Sequence, residues 1–201
     1  MFRVPRRFML TYTIIAMNVA VYVLTSIWGG SLTTGDLPLE FLGQVNYHII
    51  YDGWYWQLFT SIFVHADVVH LFGNMFSLFI FGLRAEEMFD AKEYLLIYFA
   101  SGLAGNLLTL LMGPKMFSVG ASGAIFGVFG AVIIYIRRET GQSIIGALLF
   151  AFFLLLLNTG YQVNVLAHLG GLVAGLVIGY LLATTRRKTA ANYNYTISYA
   201  R

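Results

Sequence analysis

Gly120-Ala121-Ser122-Gly123 opens an apolar run that continues to Ile136 and is closed by Arg137 and Arg138. The stretch sets a hydroxyl at the N-terminal end of a predicted membrane-crossing helix, between two glycines that let another backbone come close. Alone, G-x-S-G is a weak signal. Its weight comes from polar residues at the starts of other apolar runs: His168 near the start of one, and His70 with Asn74 near the start of another.

Composition sets the class. The 201 residues are 59% hydrophobic and 10% charged, with mean hydropathy +0.75, against about 25% charged residues in an ordinary soluble domain. The apolar residues gather into long runs, so the chain reads as one polytopic, all-α membrane domain. Cysteine is absent, which removes disulfides and thiolate metal sites.

Six spans are predicted: Phe8–Trp28, Asp67–Ala85, Tyr94–Met112, Ser122–Ile136, Ser143–Tyr161 and Val165–Thr184. The first exceeds a signal-peptide core and is followed by no clear A-x-A, so an uncleaved helix is expected. A short N-terminus, residues 1–7, precedes the membrane domain over 8–185. A polar tail, Arg186–Arg201, follows and is expected to be disordered. With the N-terminus in the cytoplasm, eleven of the twelve lysines and arginines fall inside and only Lys115 outside. This bias predicts both termini in the cytoplasm of a multi-pass protein. The connection Gly29–Ala66 carries Phe41, Tyr47, Tyr51, Trp54, Tyr55 and Trp56. Such rings suit the headgroup region, so the loop between the first two spans is expected to sit partly in the outer leaflet, as a brace or only as an aromatic belt.

In this topology the second, fourth and sixth spans all enter from outside. His70, Asn74, Ser122 and His168 then share one depth within a few residues of their helix ends, at about 1.5 Å per residue. Small residues at helical spacing, Gly123 and Gly127 on the fourth span and Gly171, Gly175 and Gly179 on the sixth, predict close packing of the two helices. That contact would bring Ser122 Oγ within reach of His168. His70 and Asn74, four apart, share a helix face and can point at one group on the fourth span. For any one of these residues, interhelical hydrogen-bond glue is a fair reading. Four at one depth point to function, because intramembrane polar side chains are costly.

His70-Leu71-Phe72-Gly73-Asn74, Gly120-Ala121-Ser122-Gly123 and Ala167-His168-Leu169-Gly170-Gly171 with Gly175 resemble the motifs of the rhomboid family of intramembrane serine proteases. They occur in that family's order and spans, and the resemblance covers residues 8–185. It implies Ser122 as nucleophile and His168 as general base, with His70, Asn74 and the Ser122 backbone N–H stabilising an oxyanion. It also implies a structural role for Glu86 at the inner end of the second span. Two positions depart from the pattern. Gln57 follows Trp56 where the family commonly has arginine, which bears on how the first loop is anchored. Phe126 stands where the family often has a tyrosine beside the catalytic histidine, and its ring can still pack on the imidazole.

A serine hydroxyl needs a base within hydrogen-bond reach. His168 must be neutral to act, so activity should fall at acid pH. No carboxylate is placed to orient it, and Asp67 suits a helix cap or the water interface, so a Ser-His dyad is expected. His65, Ser118 and Gln162 are candidates for the mouth of a wet cavity. The expected substrates are single-span membrane proteins with helix-weakening residues, since a helical peptide bond must be unwound before attack. Admission is expected between the second and fifth spans, the latter bulky over Leu148–Leu157. A bacterial inner membrane is the expected location. No cofactor or metal is expected, as His48, His65, His70 and His168 form no H-E-x-x-H, and topology accounts for the basic residues without nucleic acid. A silent binding member of the same fold would be expected to lack Ser122 or His168. A small transporter would show charges at mid-span or paired broken helices.

Overall fold

A computed structural model describes residues 9–31, 33–141, 143–146, 149 and 164–185. The expected N-terminal segment 1–7, most of the fifth span Ser143–Tyr161, and the tail Arg186–Arg201 lie outside these residues, as does Gln162. The long helices are α1 (Met9–Gly29), α4 (Val68–Met88), α5 (Ala91–Thr109), α6 (Ser122–Thr140) and α7 (Val165–Thr185). Between α1 and α4 lie α2 (Asp36–Leu42), β1 (Gln44–Val45), a π-helical turn His48–Asp52 and α3 (Gln57–Thr60). A second short strand, β2 (Phe117–Ser118), precedes α6 and pairs antiparallel with β1, Gln44 opposite Ser118. These strands are the one departure from an all-helical fold among the described residues.

Four described helices are long and apolar enough to cross a membrane: α1, α4, α5 with its 3-10 extension to Met112, and α7. The fourth expected span, α6, falls outside that set because Arg137, Arg138 and Glu139 occupy its last turn. It is instead the axis of the bundle. Every residue from Gly123 to Ile133 is buried, so α6 meets protein on all sides.

Local chemistry sets the helix ends. Asp67 caps α4 by accepting from the His70 backbone N–H at 2.8 Å, one of the two roles expected for it. Asp90 and Glu93 form a capping box on α5, satisfying two backbone donors reciprocally. Glu86, near the far end of α4, accepts from the Thr11 and Leu10 backbone N–H groups at 2.6 and 3.3 Å. A side chain of α4 therefore caps the first turn of α1, where a carboxylate is also favoured by the helix dipole.

Glycine sets the distances between α5, α6 and α7. A Cβ on Gly171 would collide with the Gly123 carbonyl, one on Gly175 with the Gly127 carbonyl, and one on Gly179 with Ala131. Gly127 of α6 also lies against Ser101 of α5, with the Gly171 carbonyl beside it. The third side of the triangle closes where Gly105 of α5 meets the Ala167 carbonyl of α7. Backbone thus touches backbone, the contact that small residues permit in lipid.

The loop between α1 and α4 is held by buried polar side chains. Gln57, fully buried, accepts from Val45 N–H at 2.9 Å and donates to the Glu40 carbonyl at 2.6 Å. A neutral amide therefore does the anchoring where the family commonly has an arginine. Asn46 donates to the Thr109 and Gly113 carbonyls, and Gln44 to Asn106 O. On the outer side, Trp28, Phe41, Trp54 and Trp56 form a chain of ring contacts. His48 stacks on Trp54 at 4.3 Å and reaches Asp52 at 2.6 Å and Glu40 at 3.2 Å.

The Asp52 carboxylate, with Glu40 beside it, raises the His48 pKa above its ordinary 6.5. A raised folded-state value means that this clasp contributes fully below pH 6.5 and is lost as pH rises through the folded value. Hydrogen exchange over residues 40–57 should therefore speed up across that transition, and His48→Gln should abolish the step. An identical step in the variant would assign it elsewhere.

Candidate active site

Ser122 is the first residue of α6, and Ala121 before it offers no side-chain cap. The first N–H along α6 to bond an i−4 carbonyl is that of Ile125, to Ala121. The N–H groups of Ser122, Gly123 and Ala124 therefore have no intrahelical acceptor. They surround the hydroxyl with partial positive charge.

His168 sits one turn into α7 with its Nε2 2.7 Å from Ser122 Oγ, across 46 positions of sequence. The Gly123–Gly171 contact lies next to this pair, so the glycine packing and the hydroxyl–imidazole contact are parts of one juxtaposition. Phe126 stacks on the His168 ring at 4.6 Å and 25°. Nδ1 of His168 is buried and meets no hydrogen-bonding group among the described residues. Among the described residues no carboxylate orients the imidazole, and the ring meets Phe126 and the serine.

His70 and Asn74, one turn apart on α4, face the same cavity as Ser122 and His168. The His70 ring lies over Gly120, whose φ is +118°, and a Cβ there would meet His70 Nε2 at 2.8 Å. Gly120 thus needs glycine twice, for its backbone angle and for the ring above it. Asn74 donates one amide proton to the His70 carbonyl at 2.9 Å. A second amide proton remains for a ligand.

The cavity has a volume of about 710 Å³ and is lined by polar Ser118, Asn106 and Asn164 as well as by Phe81 and Phe129. Ser118 lines it, as expected. His65 does not: it is fully buried behind His70, rings 5.1 Å apart, with Nδ1 at 3.3 Å from the Phe63 carbonyl. Burial, with the neighbouring His70, pushes the His65 pKa down to about 3, so its imidazole is neutral. Its expected place at the cavity mouth is thereby corrected. The sequence offers no sign of this, because a histidine beside a helix start reads as a solvent-facing residue.

Asn106 and Asn164 also line the cavity, beyond the residues that the sequence motifs mark. Asn106 donates to Leu58 O at 2.7 Å and to Ser61 Oγ at 2.9 Å. It lies inside an apolar span, and that alone marks it for attention. Asn164 precedes α7, where an asparagine looks like an ordinary helix cap.

A family model described as the rhomboid domain matches residues 52–185. The chain is 33% identical over 171 residues to rhomboid protease GluP of Bacillus subtilis (strain 168), covering 82% of this chain and 33% of that protein. It is 36% identical over 151 residues to RHOMBOID-like protein 6, mitochondrial, of Arabidopsis thaliana, covering 72% and 49%. Rhomboid-like protease 3 of Toxoplasma gondii is 29% identical over 169 residues, covering 80% and 64%. The chain thus spans between a third and about two thirds of the length of these relatives.

Gly120→Ala is expected to cost about 1–3 kcal/mol through its backbone angle, with the His70 ring displaced as well. The thermal unfolding midpoint in detergent reads this directly. An unchanged midpoint would mean that the loop relaxes around the added methyl group.

Proposed function

The chain belongs to the rhomboid family and is an integral membrane protein, and on that premise we propose that it is an intramembrane serine endopeptidase working through a Ser122–His168 dyad. The observation that carries this is the 2.7 Å contact between Ser122 Oγ and His168 Nε2. Serine becomes a useful nucleophile only when such a base takes its proton.

Ser122 Oγ attacks the carbonyl carbon of the scissile bond as its proton passes to His168 Nε2. The negative charge moves to the former carbonyl oxygen. The Ser122 backbone N–H, the second amide proton of Asn74 and His70 receive it, in a site whose donors are fixed before the reaction. His168 then protonates the leaving amine, and the peptide bond breaks to give an acyl-enzyme. A water molecule, deprotonated by His168, cleaves that ester and restores the serine. The unpartnered Nδ1 supports a dyad rather than a triad. The Phe126 stack supports an orienting role in place of a carboxylate.

The substrates are membrane proteins whose single spans contain helix-weakening residues. A helical segment must release its backbone hydrogen bonds before the carbonyl is accessible, and glycine or proline lowers that cost. The membrane domain over 8–185 lies in a bacterial inner membrane with both termini in the cytoplasm, the arrangement that the lysine and arginine bias supports. Substrate passes laterally between the second and fifth spans. The outward row Val68, Val69, Phe72, Phe76 on α4 is apolar and exposed, consistent with a face that meets lipid or a substrate helix.

Reconstituted protein should cleave a single-span reporter, and Ser122→Ala or His168→Ala should abolish that cleavage with the fold retained. A serine-directed fluorophosphonate should label the parent and neither variant. Asn74→Ala should slow turnover by about 2.7–4 kcal/mol of barrier. Cleavage by Ser122→Ala at the parental rate would overturn the assignment. A cross-link from the fifth span to α4 should stop cleavage of the reporter but not labelling; undiminished cleavage would remove the lateral gate.

A further inference from the structure

Asn164 is buried, 6% exposed, and its side chain touches three separate parts of the molecule. Its Oδ1 accepts from the Ala167 backbone N–H at 2.9 Å, capping α7 one residue before His168. Its carbonyl accepts from the His168 N–H at 3.2 Å. Its Nδ2 donates to Thr109 Oγ1 at the end of α5, at 2.6 Å, and to Ser118 Oγ in β2, at 3.0 Å. Ser118 is four residues ahead of Ser122 on the same strand-to-helix segment. The Thr109 hydroxyl is itself fixed by donating to Gly105 O, and Gly105 lies against the Ala167 carbonyl. One amide therefore binds the helix that carries the imidazole to the segment that carries the hydroxyl.

We propose that Asn164 is a positioning residue for the reaction: it registers α7 against the β2–α6 segment so that His168 Nε2 meets Ser122 Oγ. This rests on Ser122 and His168 being nucleophile and base. A cap alone would need only Oδ1. The two Nδ2 bonds go to elements that a cap has no reason to touch, and one acceptor, Ser118, lines the cavity that holds the reacting pair. The glycine contacts between α6 and α7 fix how close the helices lie. Glycine faces are smooth and resist sliding or rotation of one helix along the other poorly. The directional bonds of Asn164 supply that missing restraint. A displacement of about 1 Å in such a pair can cost on the order of 100-fold in rate.

The test uses the full chain in detergent or bicelles. Asn164→Ser keeps a good helix cap but is too short to reach Thr109 and Ser118. Ser118→Ala leaves the cap intact and removes one anchor. Asn164→Ser is expected to lower kcat on the reporter by about 100-fold, with KM and the thermal midpoint close to parental, and Ser118→Ala to lower it by less. Imidazole ¹⁵N NMR of His168 reads the geometry without turnover, with Ser122→Ala defining the unbonded Nε2 signal. In Asn164→Ser the Nε2 signal should move toward that reference. Parental kcat in Asn164→Ser, a loss that tracks the thermal midpoint, or an unmoved His168 signal would overturn the proposal. A parent that cleaves nothing while its His168 signal reports the bond would sink the protease reading alone, and the Asn164 comparison would still be decided by NMR.

Discussion

The contact of two helix backbones, α6 and α7, at Gly123–Gly171 and Gly127–Gly175 is the constraint from which the rest follows. In lipid there is no water to drive apolar faces together, so association depends on packing and on hydrogen bonds that have no better partner. A residue larger than glycine at Gly171 or Gly175 would push the axes apart, and His168 would move with them. The serine–imidazole distance is in this sense a property of the helix interface before it is a property of either side chain. The same logic explains why α6 is buried along eleven consecutive residues, Gly123 to Ile133. It has to be the axis, because α4, α5 and α7 each bring something to its N-terminal end.

Much of this was legible in the residues. The four-residue glycine spacing, the polar residues at matching helix ends and the apolar run lengths locate α1, α4, α5, α6 and α7 to within a few positions of their observed ends. These signals are periodic, and periodicity survives in a sequence without coordinates. The contact of Ser122 with His168 follows from the same pattern, because shared depth and a smooth interface leave few other arrangements.

What was not legible is the polar scaffold behind the site. Gln44, Asn46, Gln57 and Asn164 sit in or beside connections, where polar residues are the rule and attract no notice. Their burial depends on long-range pairings such as Gln44 with Asn106 and Asn164 with Ser118, 62 and 46 positions apart. Composition carries no trace of those. Gln57 is instructive because its identity drew attention only as a departure, whereas its amide satisfies a backbone donor and a backbone acceptor at once. His65 misled for the opposite reason. Its neighbours in sequence suggest exposure, and only the fold of the loop over α4 encloses it.

Glu86 has a consequence beyond capping. It ties α4 to α1 at the end of α4 remote from His70, sixteen residues or about 24 Å away along the axis. A stiff rod pinned at one extremity transmits small rotations as large arcs at the other. Over that length a tilt of about 5° corresponds to roughly 2 Å at His70, so the angle at which Glu86 sets α4 against α1 bears directly on where His70 stands. The anchor at Glu86 and the active-site face at His70 thus stand at opposite ends of one long apolar helix.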